Sequence, residues 1–142
     1  MRVDKMIEEV KVTINSKEEM VVRGTTLLQL SKKYQKDYRF PVILASVNNV
    51  YRELSYVIND PCGIVFYDLN SRVGNRAYIA GLTFLLVVAV KEKFGLDASI
   101  KVMHSLDKGI YIETSFPLTE TILKSIARKM VSLVELNLDI TK

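Results

Sequence analysis

Between Arg76 and Lys91 the chain runs through fourteen residues without a charge, AYIAGLTFLLVVAV (Ala77–Val90). No other stretch narrows the fold so much. As an α-helix it rises about 21 Å, short of the roughly 30 Å hydrocarbon core of a bilayer, so a membrane partner is not expected. The run predicts one long buried helix, Arg76–Phe94, stopped near Gly95. Such a helix needs cover from the elements around it.

The remaining composition is that of an ordinary soluble globular protein. Hydrophobic residues make up 49% and charged residues 25% of 142, which excludes global disorder. That length suits one domain or two small modules of about 60–70 residues. Twenty Lys+Arg against sixteen Asp+Glu give +4, and neither half of the chain is a basic block. A polyanion binder held by charge alone is therefore not expected. Cys62 is the single cysteine, so an internal disulfide, a Cys-rich zinc site and a CxxC pair are all excluded. With only His104 beside it, any metal site would have to be built mainly from carboxylates, and none is expected. The N-terminus, MRVDKMIEEVKV, is charged and has no apolar core segment, so it does not read as a signal peptide. Cysteine usage and this N-terminus point to the cytoplasm.

Periodicity divides the chain. Val10, Val12 and Ile14 alternate with Lys11 and Thr13 as a half-buried strand, and Met20–Val22 returns after the turn at 15–18. Thr25 or Thr26 can N-cap a helix from Leu27 to about Lys36. Pro41–Val47 reads as a buried strand, Asn48-Asn49 as a turn, Tyr51–Leu54 as a short strand, and Gly63–Asp68 as a last strand. Strand, strand, helix, strand, short strand, strand is the order of a ubiquitin-like β-grasp, an α+β class. The polar stretch DLNSRVG (Asp68–Gly74) marks a boundary, giving modules 1–70 and 71–142. In the second module the long helix precedes a strand at Ser99–Ser105, a turn, a partner strand at Ile110–Thr114, and an amphipathic helix capped by Thr119.

Motifs that carry chemistry are scarce. GxxxxGK[ST], GxGxxG, GxSxG and HExxH do not occur, and no two glycines have the spacing of a phosphate cradle. One histidine and no nucleophile elbow speak against a Ser–His–Asp triad. No residue is assigned a catalytic role. His104, followed by Ser105, Asp107 and Lys108, reads either as a ligand contact beside a phosphate-seeking lysine or as a strand-end histidine bonded to its own turn. Lys32, Lys33, Lys36 and Arg39, interleaved with Tyr34 and Tyr38, read either as an RNA-contact patch or as the solvated face of an amphipathic helix. Arg76 is expected to begin the long helix, against the macrodipole.

Two stretches resemble known modules. Residues 7–68, through GTTLLQLSKKY (Gly24–Tyr34), VILASVNN (Val42–Asn49) and Leu54, are similar to the TGS domain of threonyl-tRNA synthetase and some GTPases. Ser16-Lys17 stands where that domain usually has a hairpin glycine. Residues 72–140 resemble the next module of the same synthetase, through the long apolar helix, DKGIYIE (Asp107–Glu113) and Leu118–Ile140. Setting Leu85-Leu86 on the synthetase's paired leucines puts Ala80 and Phe84 where its editing module has HxxxH. Neither side chain can bind a metal or move a proton, so editing is not implied.

A bacterial group of uridine kinase-like proteins carries the same two modules ahead of a P-loop kinase domain. Its GxRxY and HSLxKGxY strings read here Gly74-Asn75-Arg76-Ala77-Tyr78 and His104-Ser105-Leu106-Asp107-Lys108-Gly109-Ile110-Tyr111. An arginine expected between them is Ala80. This resemblance implies a non-catalytic N-terminal region of an ATP- and Mg-dependent nucleoside kinase, with the kinase domain beyond residue 142. Arg76, Tyr78, His104, Lys108 and Tyr111 would then meet a nucleoside, nucleotide or RNA ligand. The alternatives are an RNA- or tRNA-binding module and a structural or oligomerising domain.

Overall fold

The computed structural model describes residues 7–106 and 109–140. It is a mixed α+β structure with a five-stranded mixed sheet, a separate hairpin and, among the described residues, three α-helices. The chain divides into two compact units, Met1–Tyr78 and Ile79–Lys142.

In the first unit, β1 (Glu9–Ile14) and β2 (Lys17–Val22) form an antiparallel hairpin. Asn15 and Ser16 both take positive φ, 49° and 65°, at its two-residue turn. That is the turn whose twist matches a hairpin, and asparagine tolerates it better than most side chains. Asn48 and Asn49 repeat the device, at φ 48° and 66°, between β3 (Val42–Val47) and β4 (Val50–Arg52). With β5 (Cys62–Asp68) the sheet order is β2-β1-β5-β3-β4, β1 and β5 lying parallel at its centre.

Helix α1 (Leu27–Tyr34) starts at Thr26, whose hydroxyl accepts from the Gln29 amide at 3.2 Å, while the Gln29 side chain accepts from the Thr26 amide at 2.9 Å. This reciprocal box satisfies two of the otherwise unpaired groups of the first turn. The segment after β4 serves two more: Leu27 donates to the Tyr56 carbonyl and Leu28 to that of Leu54. Leu27 and Leu30 meet Val12, Ile14, Ile64 and Phe66 of the sheet in one core. Ile58 also belongs to it, only 1% exposed, although it lies in no strand.

Helix α2 runs Arg72–Phe94. It begins four residues before the expected start at Arg76 because Ser71 caps it: the Ser71 hydroxyl accepts from the Gly74 amide at 3.0 Å and donates to the Asp68 carbonyl at 2.7 Å. Arg76 therefore lies beyond the first turn and escapes most of the dipole penalty expected for it. The larger correction concerns burial. The helix is long, but it is not a buried helix. Ala89 and Val90 are fully covered, whereas Tyr78, Ile79, Leu82 and Phe84 are 38–52% exposed. A helix apolar all round needs cover on every side. In the second unit the buried cluster holds only the C-terminal half of α2, against Ile126 and Leu133 of α3 (Glu120–Glu135).

The rest of the second unit is a hairpin, β6 (Ile100–Leu106) and β7 (Gly109–Thr114), with Ile100 and Phe116 at the same cluster. Phe116 stacks on Phe94, ring centres 4.8 Å apart, and Lys129 pairs with Glu92 at 2.7 Å, joining α3 to the end of α2. Thr119 caps α3 by accepting from the Ile122 amide at 3.2 Å, as its sequence position predicts. Gly95, at φ 90°, lets the chain leave α2 in the left-handed conformation.

Position 74 has no room for a side chain. A Cβ there would lie 2.0 Å from the Asp68 carbonyl oxygen and 2.8 Å from its carbon, both backbone atoms that cannot swing away. Gly74→Ala should therefore unseat the start of α2 and cost about 2–3 kcal/mol. Urea unfolding checks this; an unchanged midpoint would refute the packing described.

Candidate functional site

The strands of the second hairpin are unequal. Val102 pairs with Ile112 and Ser105 with Ile110, so Met103 and His104 together face the single residue Tyr111. This is a β-bulge, a device that re-aims side chains at the cost of one unpaired position. Here it brings two of the expected ligand residues into contact. The imidazole of His104 stacks on the phenol ring of Tyr111, centroids 5.6 Å apart and planes 27° from parallel. That distance falls within the offset-stacked range for aromatic pairs. Both side chains are exposed, Tyr111 by 48%. Together they make a flat, polarisable surface with hydrogen-bonding atoms at its edges, suited to a planar heterocycle.

Of the other expected ligand residues, Lys108, with Asp107, lies outside the described residues. Arg76 and Tyr78 are exposed on the early turns of α2, in the other compact unit from His104 and Tyr111. Two positions apart on a helix, their side chains leave on faces about 200° apart and do not face each other. The glycine of the same string, Gly74, has a structural reason already given.

The basic run divides in the same way. Lys32 and Lys33 end α1, where cations suit the helix dipole; Lys36 lies in the 3₁₀ turn Gln35–Asp37, and Arg39 follows it. All four are exposed. Lys33 is paired to Glu19 of β2, and the Tyr34 hydroxyl donates to the same carboxylate. Arg39 lies over the Phe40 ring at 5.5 Å. Tyr34 and Tyr38 are half-buried and pack against the core. Lys32 and Lys36 keep their charge toward solvent.

Sequence reasoning missed one concave site. The two asparagine turns flank a crevice of about 340 Å³ lined by Thr13, Asn15, Ser16, Ser46, Asn48, Asn49 and Gly63 with Ile64 and Val65. Asn48 Oδ1 accepts from the Gly63 amide at 2.9 Å, tying the second turn to β5. Every polar group lining it is neutral. The signal in the sequence was the pair Asn15-Ser16 and Asn48-Asn49, legible as turns but not as neighbours. Cys62 stands beside this region, its thiol pushed up by burial and then by the Asp60 charge, which disfavours the thiolate. Among the described residues no three His, Cys, Asp or Glu side chains gather as a metal site would require.

The sequence matches no protein-family model, and a search of curated proteins finds no match.

The Glu19 cluster gives a pH signature. The hydrogen bond from Lys33, then that from Tyr34, holds the Glu19 carboxyl below its ordinary value. The bond to Glu19, then burial, pushes Tyr34 up to about 12. For Glu19 the folded value lies below the unfolded one, so its stabilisation is present above the unfolded value and lost as pH falls through the folded one. For Tyr34 the folded value lies above the unfolded one, so its stabilisation is whole below about 10 and lost as pH rises toward about 12. Ultraviolet titration should show one of the seven tyrosines ionising late, and Tyr34→Phe should abolish that phase and flatten the alkaline fall in stability.

Proposed function

We propose that this chain is a non-catalytic, ligand-binding region of a uridine kinase-like protein, and that the hairpin β6–β7 presents its ligand surface. The ligand is a nucleoside or nucleotide whose base lies on the His104–Tyr111 ring pair. That bulge-set stack is the observation that carries the reading. Lys108, as the cation for the ligand's phosphate, and Arg76 and Tyr78 are assigned to the same ligand by the resemblance alone.

The sheet order β2-β1-β5-β3-β4, with one helix packed on its core, supports reading the first unit as a ubiquitin-like β-grasp of the TGS kind. In this reading the P-loop kinase domain, with its ATP and Mg, lies beyond residue 142 and acts in cis, in the cytoplasm. The basic run favours RNA less, because its tyrosines are held against the core and Lys33 is paired.

Calorimetric or NMR titration with uridine, UMP and UTP tests the reading. Tyr111→Ala should weaken nucleotide binding about tenfold or more, since base–aromatic stacking contributes about 1–3 kcal/mol. His104→Ala should act in the same direction, and Lys108→Ala should weaken UMP while sparing uridine. Equal affinities for the wild type and Tyr111→Ala would sink the proposal. Affinity for single-stranded RNA alone, falling steeply with salt, would move the assignment to an RNA-binding module. A GxxxxGK[ST] encoded past codon 142 would support the kinase reading; its absence from the whole coding sequence would remove it.

A further inference from the structure

Gly63 stands where a sheet gives least reason for a glycine. It lies in β5, the central strand, and pairs with Thr13 of β1. A glycine inside a strand weakens it, and its usual reasons are a bulge, a sharp bend or the close approach of a ligand or another backbone. No bulge falls here. Cys62, Gly63 and Ile64 pair in step with Val12, Thr13 and Ile14, and the register shift against β3 lies between Val42 and Leu44. The backbone at Gly63 is not in the left-handed region. A Cβ would meet only Asn48 Oδ1, at an ordinary 3.8 Å. What the missing side chain leaves is space. Gly63 and Val65 alternate with the core residues Ile64 and Phe66, so they face away from α1, and Thr13 and Ser46 stand beside them on the neighbouring strands. These four form the floor of the crevice of about 340 Å³ between the two asparagine turns.

We propose that this crevice binds a small uncharged polyhydroxyl ligand, of about the size of a monosaccharide. Its volume lies at the small end of the roughly 300–1,000 Å³ of ligand sites. Among the described residues no ionisable side chain lines it, so a charged ligand would lose hydration there without a counter-charge. No aromatic ring lines it either, so a planar base finds no platform. The groups present are hydroxyls and primary amides, from Thr13, Ser46, Asn48 and Asn49 among others. Each can both donate and accept, as a sugar hydroxyl does. Asn48 is held in place: its Oδ1 accepts from the Gly63 amide at 2.9 Å, and its own backbone amide donates to the Gly63 carbonyl at 2.8 Å. The Nδ2 end of that side chain has no partner among the described residues and is left to donate to a ligand. Ser46 is only 3% exposed, and its hydroxyl has just a long contact, 3.4 Å, with that of Tyr67. Val65, 43% exposed, offers an apolar surface to the C–H face of a ring.

NMR titration of the isotope-labelled 142-residue chain with D-ribose, D-glucose and D-galactose, over roughly 0.1 to 50 mM, tests this. At least one sugar should shift the amides of Thr13, Asn48, Gly63 and Val65 saturably, with a dissociation constant of about a millimolar. Gly63→Val should raise that constant about tenfold or more by filling the crevice. Its melting temperature should hold or rise, since valine suits a strand and position 63 has room for a Cβ. Thr13→Val keeps the branched shape, removes one hydroxyl and should weaken binding in the same direction. Should Gly63→Val fail to fold, Thr13→Val decides alone. The proposal is overturned by the absence of a saturable shift with all three sugars, or by an affinity that the folded variants leave unchanged. A drift of equal size with glycerol and acetate overturns it as well. Shifts at His104 and Tyr111 with uridine belong to the hairpin, so either proposal can fail without the other.

Discussion

The Asp68 carbonyl is the hinge of the architecture in the first unit. It closes β5, accepts from the Ser71 hydroxyl, and stands so near the first turn of α2 that position 74 has no room for a side chain. Asp68 Oδ1 accepts from the amides of Asn70 and Ser71, at 3.1 and 3.2 Å, so the same residue organises the turn with both ends. Backbone groups that would otherwise be orphaned between a strand and a helix are thereby paired within a few residues.

Much of the first unit was legible because its signals are local. Alternation at Val10, Val12 and Ile14, a threonine cap and two polar turns specify strands and a helix without reference to partners. Ile58 was not legible: its burial depends on a loop returning beside Thr25, whose carbonyl accepts from the Ile58 amide at 2.9 Å. The start of α2 was misplaced for a related reason. DLNSRVG has loop composition, and only the hydrogen bonds of Ser71 show that its second half is already helix. Composition also misled on burial. An uncharged run states that cover is favourable, but whether neighbours are large enough to provide it is a property of the whole unit. The hairpin and α3 enclose Ala89 and Val90 and leave Phe84 open.

The candidate sites divide by whether their groups are already engaged. At the end of α1 the sequence offers four cations and two rings, an attractive combination for a polyanion, and packing half-buries both rings while Glu19 takes one cation. On β6–β7 the reverse holds. The rings stack on each other and remain exposed on a strand surface. The string HSLxKGxY reads as a strand end and a turn. The extra residue that turns His104 toward Tyr111 is a feature of pairing, invisible until the register between strands is known.

That extra residue has a bearing on solubility. A two-stranded hairpin has two edges, each a row of backbone donors and acceptors open to any passing strand, and β6 and β7 also expose Val102, Met103 and Ile110. Flat, regular edges with such side chains invite end-to-end stacking into fibres. The bulge at Met103-His104 interrupts the ladder and tightens the local twist, so another copy's strand cannot lie flush along its whole length. A single irregularity thus both sets the stacked rings and guards the hairpin against aggregation.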